Sequence, residues 1–295
     1  MLLVPLAERF ARRALKARGI ESRFVQSNVA EHHIYDAQNP AAKHDNPTNP
    51  TLLPTIVFLH GISSSAAVFA RTMARLQSRT KRILAIEAPG HGLSGQPKVD
   101  LTPEVLFESM AEVLIRELNE PAIVCGNSLG GAVAVSFAIR HPEWVRGLFL
   151  TSPAGAQMDP DAFKGFLEVF NFHSNGEARA FMRRIYHRPP WYAPLVAPEL
   201  RQMFARKAVR DVLTGAHATR LFAPEDIRHL PMPIHLLWGK QDKLMPRENF
   251  LFYKDSLPSH AVIEEPDNVG HCPHFDDPQG YLDGIVRFAR SISTR

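Results

Sequence analysis

The sequence predicts an α/β protein with a mostly parallel sheet, helices on both faces and a helical insertion. Three observations predict it. Short apolar, β-branched runs alternate with helical patterns along most of the chain. Strand signals vanish between Ser152 and His229 and then return. A serine sits among glycines, in Gly126-Asn127-Ser128-Leu129-Gly130, where one apolar run ends and another begins.

The elements follow in chain order. Residues 1–20 carry apolar positions at helical spacing, with Leu3, Leu6 and Phe10 on one stripe. Glu21 to Asp36 alternates enough for two strands, and Ala37 to Pro54, polar and proline-rich, reads as a loop. Thr55 to His60 is a buried strand ending at Gly61, and Ala66 to Gln77 has helical spacing. Arg82 to Ala88 is a strand running into a Pro-Gly-His-Gly turn. Thr102 to Leu118 is a helix, with Thr102 placed to cap it and Pro103 suited to its first turn. Ala122 to Cys125 is a short core strand, and Ala132 to Ile139 an unbroken helical run. Val145 to Thr151, Pro233 to Trp238 and Ala261 to Glu264 complete the strands, and a last helix runs from about Pro278 to Ser291. The expected division is an N-terminal amphipathic segment over 1–20, a core over 21–155 and 230–295, and a helical cap over 156–229.

Composition limits what such a chain does. Its 45% hydrophobic and 22% charged content is that of an ordinary globular protein. The formal charge of +4 is matched by residues 1–20 alone, where Arg9, Arg12, Arg13, Lys16 and Arg18 stand against Glu8. A nucleic-acid binder would spread basic charge over its folded body, so nucleic acid is set aside. Two cysteines, Cys125 and Cys272, exclude a disulfide framework, and the first residues lack the layout of a secretory signal. A reducing, cytoplasmic compartment is expected. No metal-ligand spacing stands out, and nothing requires a cofactor. The oligomeric state is left open.

The chemistry starts at Ser128. A strand that turns at once into a helix bends sharply, and the residues around the bend must lack bulk; Gly126 and Gly130 meet that need. The turn holds a hydroxyl at the C-terminal edge of the sheet. Serine is a poor nucleophile unless a base takes its proton and an acid orients the base. His271 and Asp242 both fall just past predicted strand ends, where parallel sheets place their sites. Asp242 also reads as a turn aspartate before the helix near Pro246. Asp159, Asp161, Asp267, Asp276 and Asp277 are rival carboxylates without that placement, and His60, His91 and His274 read as structural or supporting histidines. Two backbone N–H groups should face a developing oxyanion, from Leu129 at the helix start and from Ile62 after Gly61.

These segments together resemble the α/β-hydrolase superfamily, from about residue 21 to 292. The resemblance rests on Phe58–Gly61 (FLHG), Glu87–Ser94 (EAPGHGLS), Gly126–Gly131 (GNSLGG), Trp238–Asp242 (WGKQD) and Gly270–Pro278 (GHCPHFDDP). The order Ser128, Asp242, His271 is the order of that fold's nucleophile, acid and base. Leu150–Gly155 (LTSPAG), the cap and WGKQD are similar to bacterial carboxylesterases and monoacylglycerol lipase-like members. The resemblance implies hydrolysis of carboxylic esters of short-to-medium acyl chain through an acyl-enzyme. Phe166, Phe170, Trp191, Tyr192 and Leu244 are candidate walls of the apolar pocket.

Two other readings stay open: a carbon–carbon bond hydrolase of ring-cleavage products, and a non-catalytic ligand receptor on the same fold. Against the first, the chain departs from that class after His60-Gly61 and after His271. Residues 1–18 also carry two readings, a surface helix packed on the body or cap, and an interfacial helix in peripheral contact with an anionic membrane.

Overall fold

The computed structural model describes residues 3–44 and 51–293. The chain opens with α1 (Leu3–Lys16), followed by β1 (Glu21–Gln26) and β2 (Glu31–Gln38). Then come β3 (Ile56–Leu59), α2 (Ala70–Leu76), β4 (Arg82–Ile86) and α3 (Pro103–Glu117). The centre is β5 (Ala122–Asn127), α4 (Leu129–Arg140) and β6 (Val145–Thr151). Between β6 and β7 lie α5 (Pro160–Glu168), α6 (Asn175–Ile185), α7 (Ala193–Phe204), α8 (Lys207–Thr214) and α9 (Pro224–Arg228). The chain closes with β7 (Ile234–Leu237), α10 (Arg247–Ser256), β8 (Val262–Glu264), α11 (Pro273–Asp276) and α12 (Pro278–Ser293).

The eight strands form one sheet in the order β1-β2-β4-β3-β5-β6-β7-β8. β1 and β2 pair antiparallel, as do β2 and β4, and every other pair is parallel. From β3 the chain steps to one side for β4 and then crosses to the other for β5. That reversal opens a crevice at the carboxyl ends of β3 and β5, the place where open parallel sheets bind ligands.

Period-two alternation sorts the strand residues onto two faces. Val57, Leu59, Leu84, Ile86, Val124, Leu148 and Leu150 pack against α3 and α4. Ile56, Phe58, Ile83, Ala85, Ile123, Cys125 and Phe149 pack against α2 and α12. With both faces covered, the strands read as continuous apolar runs rather than clean alternations. α4 is buried from Gly130 to Ala138, as its alanines and glycines demand.

The structure corrects several boundaries. α4 begins at Leu129, directly after the turn, not at Ala132. Glycines at 130 and 131 lower helix propensity, but close packing decides here. The segment 66–77 divides into a 3-10 turn over Ala66–Phe69 and then α2. β2 extends to Gln38, and a 3-10 turn over Pro40–His44 follows inside the stretch read as loop. Residues 45–50 of that stretch lie outside the described residues.

α1 packs on the body and on α7. Its inward face is Val4, Glu8, Ala11 and Leu15, at helical spacing, with Leu15 only 1% exposed. The Ser65 hydroxyl donates to Glu8 at 2.6 Å. Burial raises the Glu8 carboxyl above its ordinary range, and the Ser65 bond offsets part of that. The Glu199 carboxylate of α7 accepts the Leu3 and Val4 amides, the latter at 2.6 Å. Of the stripe of Leu3, Leu6 and Phe10, the two leucines are half-buried and Phe10 is exposed.

Candidate active site

Ser128 occupies the bend between β5 and α4 with φ 54° and ψ −119°. That backbone region is costly for a residue with a side chain, and the surroundings hold it there. Ser128 N–H donates to the Thr151 carbonyl at 3.1 Å, while its own carbonyl accepts from Ala132 and Ala154 at 3.1 and 3.0 Å. The bend is possible because the neighbouring chains come very close. A Cβ on Gly130 would lie 2.2 Å from the Leu59 carbonyl oxygen, and one on Gly126 would lie 2.4 Å from the Gly130 oxygen. No side chain fits at either position.

The segment after β3 meets the same bend. A Cβ on Gly61 would lie 3.3 Å from the Ser128 Cβ, so this chain passes beside the hydroxyl and brings Ile62 with it. Leu129 is the first residue of α4, whose leading amides have no intrahelical partner. Both residues chosen as oxyanion donors therefore flank Ser128, and both line the cavity described below. His60 holds this region together. Its Nε2 accepts the Ala88 amide at 3.1 Å, which leaves Nδ1 to donate to the Gly61 carbonyl at 2.8 Å. Burial lowers its basicity, as a neutral ring with one accepting nitrogen requires.

Asp242 and His271 are brought together. His271 Nδ1 lies 2.8 Å from Asp242 Oδ2, and the carboxylate is fully buried. Its other oxygen accepts the Leu244 and Met245 amides at 2.9 and 3.0 Å. A buried carboxylate is tolerable only with such partners. Asp242 thus makes both the turn that precedes α10 and the bond to the imidazole. Because a carboxylate only accepts, Nδ1 carries the proton and Nε2 is the free ring nitrogen.

Two residues that position the loops, Asn127 and Asp276, have weaker or no sequence signals. Asn127 Nδ2 donates to the Thr151 carbonyl at 3.2 Å and to the His271 carbonyl at 3.1 Å, tying the bend to the histidine loop. Asp276, one of the rival carboxylates, accepts from Gly270 N at 2.8 Å and from His187 N at 3.0 Å. The His271 amide donates to the Ile185 carbonyl at 2.9 Å. The end of α6 is thereby pinned against the histidine loop. His274 is buried beside Phe69, and burial together with nearby His271 lowers its basicity to about 3.

Ser128 opens into a cavity of about 430 Å³. Leu129, Ala132, Ser136 and Arg140, one face of α4, form its floor. Phe107 of α3, Phe163, Phe166 and Leu167 of α5 and Phe170 just after it form its walls. The far end turns polar. Glu104 pairs with Arg220 at 2.8 Å, and Arg140 donates to Ser136 Oγ at 3.0 Å. The pocket residues named from sequence divide three ways. Phe166 and Phe170 line this cavity, and Leu244 lines a neighbouring one of about 490 Å³. Trp191 and Tyr192 line neither; they stand exposed at the start of α7, at 85% and 44%. Aromatic character marks a residue as adhesive, but only the path of the chain decides what it adheres to.

A hydroxyl at a strained bend, an oriented imidazole and two flanking amides can support nucleophilic attack on a carbonyl carbon. A profile of the Alpha/beta hydrolase family matches residues 56–283. The chain is 26% identical over 252 residues to a pimeloyl-(acyl-carrier protein) methyl ester esterase of Nitrosospira multiformis, across 80% of this chain and 95% of that protein. Among solved structures, a putative lipase of Acinetobacter baumannii superimposes with a TM-score of 0.77 at 19% identity, covering 98% and 97% of the two chains. The carboxylesterase CesB of Bacillus subtilis does so with a TM-score of 0.73 at 21% identity, covering 96% of each.

Proposed function

Since the chain belongs to the Alpha/beta hydrolase family, we propose that it is a serine hydrolase cleaving carboxylic esters through an acyl-enzyme. The observation that carries the reading is local. Ser128 lines an apolar cavity on a strained bend, and the adjacent Asn127 is bonded to a histidine whose Nδ1 is held by a buried carboxylate.

The steps follow from these groups. Ser128 Oγ attacks the ester carbonyl carbon while His271 Nε2 takes its proton. Asp242 holds the ring in the tautomer that leaves Nε2 free and stabilises the imidazolium. The Leu129 and Ile62 amides receive the oxyanion. The imidazolium protonates the departing alcohol, leaving an acyl group on Ser128. Water, deprotonated by His271, then attacks that acyl carbonyl and restores the serine. The acyl chain lies along α4 between Phe107 and the phenylalanines of the inserted helices, which act as a cap. The floor from Leu129 to Arg140 spans about 16 Å at the helical rise, which suits a medium-length chain.

A fluorophosphonate that modifies activated serines, followed by a panel of p-nitrophenyl esters, tests the proposal. Wild-type protein should be labelled on Ser128 and turn over medium-chain esters. Ser128→Ala should lose both, with turnover falling by roughly four to six orders of magnitude. An unlabelled, inactive wild-type protein would point to a ligand receptor. Preferential turnover of a ring-cleavage product would point to carbon–carbon hydrolysis.

A further inference from the structure

Several large exposed apolar side chains are linked across α1, α7 and the segment after His271. Trp191 is 85% exposed, Phe10 59%, Leu195 58% and Phe275 47%. They form a connected row. Phe275, four residues after His271, meets the Tyr186 ring edge-on with centroids 5.8 Å apart. Burial pushes the Tyr186 phenol up, and nearby Cys272 and Tyr192 add to the shift. Tyr192 in turn meets Trp191 at 5.8 Å. Leu195 lies one turn before Glu199 on α7, and Glu199 holds the first amides of α1. From there the row reaches the stripe of α1, where Phe10 is exposed and Leu3 and Leu6 are half-buried.

Cations border that stripe. Arg9, Arg13 and Lys16 lie on the exposed side of α1 next to it. Among the described residues none of the three makes an ion pair. Large apolar surface left uncovered marks an interaction site, whereas single exposed apolar residues are ordinary. An apolar stripe with free cations at its flank and an indole at its end matches the interfacial region of a bilayer, where acyl chains and anionic headgroups adjoin.

We propose that this face, α1 with the Trp191–Leu195 edge of α7 and Phe275, docks on an anionic lipid bilayer. Docking sets the loop bearing His271 beside the lipid, so an apolar ester would reach the cavity without crossing bulk water. The surface itself does not depend on the ester-hydrolase reading. Binding and turnover can fail separately.

The test is flotation of the full chain with vesicles of phosphatidylcholine containing phosphatidylglycerol, and with phosphatidylcholine alone. The protein should float with the anionic vesicles at low salt and be released by at least tenfold at high salt. Arg9→Gln/Arg13→Gln/Lys16→Gln should weaken binding by about fivefold per cation, roughly a hundredfold in all. Tryptophan emission should shift to the blue on binding, and Trp191→Phe should abolish the shift, since Trp238 is buried at 2% and Trp144 is half-buried against the core. The triple variant should hydrolyse a soluble ester as the wild type does, which shows that it is folded. No flotation, or flotation that the triple variant retains, overturns the proposal. A dimer in light scattering that Phe10→Ser and Trp191→Ser dissociate, without lipid binding, overturns it in favour of a second copy.

Discussion

Asn127 and His271 are 144 positions apart, yet the Asn127 amide donates to the His271 carbonyl at 3.1 Å. The same NH₂ group reaches the Thr151 carbonyl at 3.2 Å, so one buried side chain joins β5, β6 and the histidine loop. Asn127→Ala is expected to cost about 1–3 kcal/mol of stability, because buried carbonyls lose their donor. It should also lower kcat by roughly ten- to a hundredfold with little change in KM, since the imidazole is no longer held in register with the serine. Asn127→Asp should be worse, as a carboxylate would face two carbonyl oxygens. Denaturant midpoints and steady-state kinetics measure both effects. An alanine variant with wild-type kcat would remove Asn127 from the positioning role.

Removing the serine hydroxyl and relieving the bend are separable. Ser128→Ala keeps a Cβ at φ 54°, while Ser128→Gly does not. Glycine should be the more stable of the two by about 1 kcal/mol, the relieved strain exceeding its extra chain entropy. Both should be inactive. Thermal melts of the pair decide it, and an alanine variant at least as stable as the glycine one would mean the bend is not strained.

Acid should unfold the protein through its buried histidines. Burial, aided by neighbouring His60, lowers His91 to about 3, and burial with nearby His271 does the same to His274. His91 Nε2 and His274 Nδ1 are buried without a partner, so a proton on either has nothing to donate to. In the unfolded chain these rings take protons near 6.5. The unfolded state therefore binds more protons below that pH, and stability falls as pH drops from about 6.5 toward 3. Each histidine contributes a slope of about 1.4 kcal/mol per pH unit. Tm should drop steeply between pH 7 and 5, and less steeply in His91→Phe. A Tm that is flat over that range would contradict the burial of neutral rings.

Ser136 lies seven residues along α4 from Leu129, about 10 Å into the cavity. Ser136→Leu should shorten the cavity. Acetyl and butyryl esters should turn over as before, while kcat/KM for longer chains falls by about fourfold for each methylene excluded. A uniform loss across all chain lengths would place the acyl chain elsewhere.

The parts that depend on neighbouring residues are legible in the sequence. The bend at Ser128 is written by Gly126 and Gly130, and the parallel strands by their apolar runs. Asp242 and His271 are visible because each follows a strand end, and strand ends converge in this fold. Asn127 and Asp276 do much of their holding through partners distant in sequence, which local pattern does not encode. α1 is the instructive case. Its apolar stripe suggests the inward face, but the residue the structure buries is Leu15, on the face of Val4, Glu8 and Ala11, and Phe10 of the stripe is exposed. A charged Glu8 conceals that face until Ser65 comes within reach of it. For Trp191 and Tyr192, aromatic character suggests a pocket wall, and the chain carries them to the surface.

The Glu199 carboxylate that receives the Leu3 and Val4 amides comes from 195 and 196 residues further along the chain. During synthesis, the opening helix therefore emerges long before the group that completes it. Until α7 has been made and has folded, the first turn of α1 has no carboxylate at its amides, and a helix of this length is marginal alone. This helix is thus among the last parts of the chain to settle. Its docking seals the contact between the main sheet and the inserted helices once both exist.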